Sequence, residues 1–123
     1  MTHQRLTPEQ AHHVEEIQEF LRTTEHVKRL VTELEANRAA ATRVIQELCA
    51  KIAHETSQMR QRALTANIGT IADVAGAMSV MAGRGGGIAM KIRGLTDGVN
   101  SLEMQLDAAL KHAMTPKPPR APS

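Results

Sequence analysis

Residues 63–87, ALTANIGTIADVAGAMSVMAGRGGG, decide the fold. As far as Gly83 this stretch carries a single charged residue, Asp73, and consists mainly of small and aliphatic side chains. Its apolar residues recur at helical spacing, which predicts a helix over 63–83 with a small-residue face that lets a second helix approach closely. Consecutive glycines have too much backbone freedom to continue a helix. We therefore expect a glycine-rich hinge over 84–87, formed with the end of the helix by Gly83, Gly85, Gly86 and Gly87.

The chain before this stretch is predicted to form one long amphipathic helix over residues 8–62. Thr7, Pro8 and Gln10 match a helix start with a capping box. No Gly or Pro follows until Gly69, and apolar residues recur in steps of three and four, which is typical of a helical seam. The helix–helix interface residues predicted in this arm are Ile17, Leu21, Val31, Leu34, Ile45, Leu48 and Ile52.

A second amphipathic helix is predicted after the glycines, over residues 88–114. Gly94 and Gly98 are expected to weaken its first turns by about 1 kcal/mol each. Its predicted interface residues are Ile92, Leu95, Val99, Leu102, Leu106 and Leu110. Residues 1–7 are expected to be flexible, and the Pro-rich residues 115–123 to be disordered. The predicted fold class is all-α: long amphipathic helices form a helical hairpin, or a small bundle or coiled coil, around the glycine-rich hinge.

The composition argues against several classes of protein. Phe20 is the only aromatic residue, and Trp and Tyr are absent, which disfavours a β-rich domain and a site that stacks nucleobases. The net charge is +2, and residues 60–93 carry five basic residues against Asp73 alone. This placement of positive charge suits an anionic membrane surface or an acidic partner better than duplex DNA, so no nucleic-acid partner is expected.

No pattern in the sequence indicates catalysis, a cofactor or a metal. His12 and Glu16 share a helix face, but a closed metal site needs ligands from another element. Cys49 sits beside the seam and is expected to be a small packed residue. Residues 83–87 lack the spacing of a phosphate-binding loop and follow no strand pattern. We therefore expect a protein that is not an enzyme.

The N-terminus lacks the apolar run of a signal peptide, and the single cysteine forms no internal disulfide. The expected location is intracellular, either cytoplasmic or peripherally membrane-associated, with an extracellular location as the alternative.

The segment 63–83 has two interpretations. Its basic flanks, Arg60, Arg62 and Arg84, suit a membrane element, but a charged Asp73 near the middle costs on the order of 3 kcal/mol on insertion scales. Protonation of Asp73 lowers that cost, so insertion is expected to depend on acid. The alternative is a helix that packs in a soluble bundle through its small-residue face.

A longer pattern covers residues 52–83. An amphipathic helix containing Met59 is followed by Thr65-Ala66-Asn67-Ile68 and then by residues 76–83, GAMSVMAG. This order resembles the apolipoprotein L family, whose members carry an amphipathic helix, a Thr/Val-Ala-Asn-Val/Ile step and a small-residue apolar segment that ends in Gly. The family's second, longer apolar segment is not matched by residues 84–114. The resemblance therefore implies lipid or membrane association through helices, and not a membrane-inserted pore.

The predicted function is that of a non-enzymatic lipid- or membrane-associating helical protein. Asp73 is the predicted pH-sensitive group, and the basic residues near the centre are the predicted headgroup ligands: Arg60, Arg62, Arg84, Lys91 and Arg93. The predicted lipid-contacting residues are Leu64, Ile68, Ile71, Val74, Met78, Val80 and Met81. The alternative is a coiled-coil adaptor whose seams form a homo-oligomer or bind a partner helix.

Overall fold

A computed structural model describes residues 6–115 and confirms an all-helical fold over that range. Four helices follow one another: α1 (Pro8–Ala36), α2 (Thr42–Thr65), α3 (Gly69–Gly83) and α4 (Ile88–Met114). The part of the chain described contains no strand. The expected flexible start extends to Thr7, but Thr7 caps α1 through its hydrogen bonds with Gln10. Residues 1–5, and residues 116–123 of the expected disordered tail, lie outside the described range.

The four helices form a ring in which each packs against two neighbours. Contacts join α1 to α2, α2 to α3, α3 to α4 and α4 back to α1. Gln10 near the start of α1 donates to the carbonyl of Thr115 after α4, and Ser79 of α3 donates to the carbonyl of Ala53 of α2. These contacts fit an antiparallel, up-down-up-down four-helix bundle.

The first helix begins as its sequence predicts. The Thr7 hydroxyl accepts a hydrogen bond from the backbone N–H of Gln10 at 3.1 Å, and the Gln10 side chain accepts one from the N–H of Thr7 at 2.9 Å. Pro8 occupies the first turn, where its missing N–H leaves no intrahelical bond unmade. The predicted capping box is confirmed.

The predicted single helix over 8–62 is wrong, because the chain reverses direction between Ala36 and Thr42. Asn37 ends α1: its side-chain N–H donates to the carbonyl of Glu33 at 2.7 Å, and its backbone N–H donates to the same oxygen at 3.0 Å. If residues 8–62 formed one helix, its apolar seam would include the charged residue Arg38, which is unfavourable at a helix–helix interface. The reversal lets the apolar seams of α1 and α2 face each other, and this burial outweighs the helix propensity of Ala39–Ala41.

A second break divides the segment that was predicted as one helix over 63–83. Residues 63–65 complete α2, and Asn67 has a positive φ of 59°. The N–H of Ile68 donates to the carbonyl of Ala63 at 2.8 Å, and the N–H of Asn67 donates to that of Leu64 at 3.2 Å. This pair of bonds is the Schellman motif, which satisfies the last carbonyls of a helix around one left-handed residue.

The core runs along the centre of the bundle and is built from aliphatic residues and methionine. Ile17, Leu34, Ile52, Leu95 and Leu102 are fully buried. Two buried hydroxyls accompany them, and each donates to the carbonyl four residues earlier: Thr24 to Phe20 at 2.8 Å and Thr56 to Ile52 at 2.7 Å. The core therefore accepts these two polar side chains without leaving their donors unsatisfied.

Two glycines of α4 let α3 approach closely. A Cβ atom at Gly98 would lie 2.6 Å from Cγ and 2.7 Å from Sδ of Met78, and a Cβ at Gly94 would overlap the end of the Met81 side chain. Methionine side chains of α3 thus occupy the space that a side chain on α4 would need. These glycines lower helix propensity, but they permit the α3–α4 contact.

We predict that Gly98→Ala destabilises the bundle more than Gly94→Ala. Met78 is buried, and the Cβ added at position 98 would clash with its Cγ, close to the backbone. Met81 is partly exposed, and the Cβ added at position 94 would clash with the flexible end of its side chain. Overpacking costs about 1–3 kcal/mol, which exceeds the gain of about 1 kcal/mol from replacing a helical glycine. Urea unfolding should show a lower free energy of unfolding for G98A. Equal stability of the two variants would contradict this packing.

An ion pair ties α1 to α4. Nζ of Lys28 lies 3.1 Å from Oε1 of Glu103, an oxygen buried from solvent. The contact that the Lys28 ammonium makes as donor with the Glu103 carboxylate, together with the charges of Glu103 and Glu25, raises the pKa of Lys28 above its ordinary value of 10.5. Because the folded value is the higher one, the pair stabilises the bundle below pH 10.5 and this contribution is lost as the pH rises through the folded value.

We therefore expect Lys28→Gln to lower stability at neutral pH and to match the unsubstituted protein once Lys28 is deprotonated. Denaturation midpoints of the two proteins measured from pH 7 upward past 10.5 check this. A stability difference that stays constant across that range would show that the ion pair is not its cause.

Candidate functional site

The turn between α3 and α4 carries an exposed apolar and basic surface. Val80 is 59% exposed and Met90 is 78% exposed, on either side of the turn. Met81, Arg84, Met90 and Lys91 line one shallow pocket of about 260 Å³ together with Gly85–Gly87. We call Val80, Met81, Arg84, Met90 and Lys91 the corner surface.

The local sequence explains why this surface stays open. α3 ends at Gly83, Arg84 continues in an extended conformation, and Gly87 precedes α4. Gly86 has a φ of 137°, which only glycine adopts without strain, so the chain reverses within a few residues. Met81 packs against Gly94 across the helix pair. Val80 and Met90 therefore face outward at the end of the bundle.

A groove between α2 and α3 continues from the corner surface. It has a volume of about 630 Å³ and shares Met81 and Arg84 with the corner pocket. Its lining residues are Ser57, Arg60, Gly76, Ala77, Ser79, Val80, Met81 and Arg84. The side chain of Arg60 lies across Gly76, because a Cβ there would be 3.0 Å from Cδ and 3.2 Å from Nε of that arginine. We call this the α2–α3 groove.

The electrostatics of the corner surface and the groove are one-sided. Arg60, Arg84 and Lys91 line them, and no Asp or Glu does. Among residues 6–115, no ion pair joins any of these three side chains to an acid. Their charges are therefore available to an anionic ligand next to the apolar side chains.

The structure divides the predicted lipid-contacting residues. Ile71 and Met78 are buried, because α3 packs between α2 and α4 and turns these side chains into the core. Ile68, Val74 and Met81 are partly buried. Leu64 and Val80 are exposed, but Leu64 lies near the end of α2, at the opposite end of the bundle from Val80. Of the predicted lipid-contacting residues, Val80 and Met81 are the two that lie at the corner surface of the closed bundle.

The predicted headgroup-binding residues are divided in the same way. Arg60, Arg84 and Lys91 meet at the α2–α3 groove and the corner surface. Arg62 lies instead in a cleft of about 340 Å³ between α1 and α2, beside Glu16, Glu19 and Phe20. Arg93 and the predicted pH-sensitive Asp73 are exposed and line neither the groove nor the corner pocket.

The predicted interface residues lie along the inside of the ring. Leu21, Ile45 and Leu110 are partly buried. The other members are buried: Ile17, Val31, Leu34, Leu48, Ile52, Ile92, Leu95, Val99, Leu102 and Leu106. The two arms therefore cover each other's seams within one chain, and Cys49 is buried beside them.

Sequence reasoning missed Met90, the most exposed apolar side chain of the corner surface. Met90 precedes the interface residue Ile92 by two positions, which places it about 200° around α4 from the seam. A methionine on the polar side of an amphipathic helix, next to Lys91, was the available signal. The spacing Gly94-x-x-x-Gly98 likewise indicated the close contact with α3.

Two further features concern metal and membrane chemistry. His12, Glu15, Glu16 and Glu19 share an open surface of α1 with Arg22, and residues 6–115 hold no group of three potential ligands placed to bind a metal ion. Over the same residues, none of the helices combines the length and the apolar character that crossing a membrane requires.

No protein-family model, no curated protein and no solved structure matches this chain. The resemblance to the apolipoprotein L family rests on the pattern in residues 52–83 alone, and the family relationship stays a hypothesis.

Proposed function

We propose that this protein is a non-enzymatic helical bundle that associates peripherally with anionic membranes through its corner surface. The observation that carries the proposal is the exposure of Val80 beside Arg84 in the groove and of Met90 beside Arg84 and Lys91 in the corner pocket, with no acidic side chain lining either. Apolar side chains flanked by basic ones are the chemistry with which interfacial elements bind anionic lipid.

The expected mode of binding is shallow. Val80 and Met90 would enter the boundary between headgroups and acyl chains, while Arg84 and Lys91 contact the lipid phosphates. Full burial of a methionine contributes about 1.5–3 kcal/mol, and each basic residue near an anionic surface contributes about 1 kcal/mol. These magnitudes describe reversible binding that weakens as salt screens the charges.

The adaptor alternative receives less support from the geometry. Its predicted binding seams, such as Ile17, Ile52 and Leu102, are buried inside the chain. A partner helix could reach them only after the bundle opens. Self-association through another surface stays a separate hypothesis, which light scattering of the purified protein can test.

We predict that Met90→Gln weakens vesicle binding several-fold and that Met104→Gln leaves it unchanged. Both methionines belong to α4 and are similarly exposed, at 78% and 74%. They lie about 21 Å apart along the helix, so only Met90 reaches a membrane at the corner. Because both side chains are exposed, neither substitution should alter the fold.

Co-sedimentation with vesicles of phosphatidylcholine and phosphatidylglycerol measures this difference, and pure phosphatidylcholine vesicles control for the charge requirement. Binding that responds equally to the two substitutions, or no binding to the anionic vesicles at low salt, would refute the proposed function.

A further inference from the structure

The α2–α3 groove holds its two arginines in different ways. Arg84 extends from the end of α3, whereas Arg60 reaches over from α2 and lies across Gly76. A Cβ at position 76 would lie 3.0 Å from Cδ and 3.2 Å from Nε of Arg60, so the stem of Arg60 would have to shift by a few tenths of an ångström. Gly76 is thus a positioning residue for Arg60.

The floor of the groove suits a small, compact headgroup. Gly76 and Val80 lie four residues apart on one face of α3, and Arg84 follows just past the end of the helix. Gly76 and Ala77 project little from the helix, and the hydroxyl of Ser79 is engaged with the carbonyl of Ala53 at 3.2 Å. A small anionic group can therefore enter the groove beside Gly76 and Ala77, with Arg60 and Arg84 among the lining residues.

The charge of the groove separates one class of headgroup from the others. Its lining holds two guanidinium groups and no carboxylate. A headgroup that carries an ammonium, as in phosphatidylcholine or phosphatidylethanolamine, would find no acidic partner there. A phosphomonoester carries a second negative charge and offers several oxygens to the planar donor forks of two arginines.

We infer that the α2–α3 groove binds the phosphomonoester headgroup of a phosphatidic-acid-type lipid, with Arg60 and Arg84 on the phosphate and Gly76 leaving room for the stem of Arg60 against α3. This inference rests on the proposed function, because the groove opens onto the corner surface that meets the membrane. It adds a headgroup preference to what would otherwise be a general attraction to negative charge.

The test compares two vesicle types in phosphatidylcholine, one with phosphatidic acid and one with phosphatidylglycerol, adjusted to the same surface potential. We expect the full chain to bind the phosphatidic acid vesicles about tenfold more tightly, since general electrostatics is equal on both. Equal affinity for the two vesicles overturns the inference and leaves membrane association intact. Binding to neither vesicle defeats the proposed function and the inference together.

Two variants locate the preference in the groove. Gly76→Ala preserves every charge and favours the helix, but its Cβ crowds Cδ and Nε of Arg60 and shifts that side chain; we expect the tenfold preference to fall to a few-fold. Arg60→Gln, at an exposed position, should give the same loss. Gly83→Ala is the matched control, because no atom lies within 4 Å of its added Cβ, and it should keep the preference. Retention of the preference in both G76A and R60Q would place headgroup selection elsewhere and overturn the inference.

Discussion

The bundle depends on how closely α3 and α4 approach each other. With one aromatic residue in the chain, the core has to be filled by aliphatic side chains and methionines in thin seams. Met78 reaches full burial because Gly98 presents no side chain to it. Each helix contacts only two neighbours, so a wider α3–α4 spacing would open the ring between these two helices. The close contact at Gly98 therefore contributes to the continuous core that this chain builds with a single aromatic residue.

The same contact determines which side chains remain outside. Once α3 turns Ile71 and Met78 inward and Met81 toward Gly94, Val80 is left on the outer side of its last turns. The tight reversal through Gly86 then places Met90 on the other side of the turn, in the pocket that Arg84 also lines. Arg84 and Lys91 border these side chains without acidic neighbours in the pocket. The corner surface is thus a consequence of the packing, and a membrane could use it while the core stays closed.

Features governed by local sequence could be predicted, and those governed by tertiary packing could not. The capping box at Thr7, the helical period and the break after Gly83 depend on neighbouring residues. The reversal after Ala36 contains no Gly or Pro and is driven by the burial of two facing seams. Whether an apolar residue such as Ile71 faces lipid or core depends on the helices on either side of α3, which its spacing does not specify. The sequence predicts four members of the corner surface as lipid-contacting or headgroup-binding residues: Val80, Met81, Arg84 and Lys91. It does not predict Met90.

Membrane contact through the corner surface requires no opening of the bundle, in contrast to insertion of the segment 63–83. Amide hydrogen exchange of the protein on anionic vesicles distinguishes the two most directly, because exchange reports local opening. We expect slower exchange over residues 80–91 on vesicles, with the buried seams of α1 and α2 exchanging as slowly as in solution. Faster exchange around Ile17 and Ile52, which would mean that the bundle opens to reach lipid, or unchanged exchange over residues 80–91 would contradict this mode of binding.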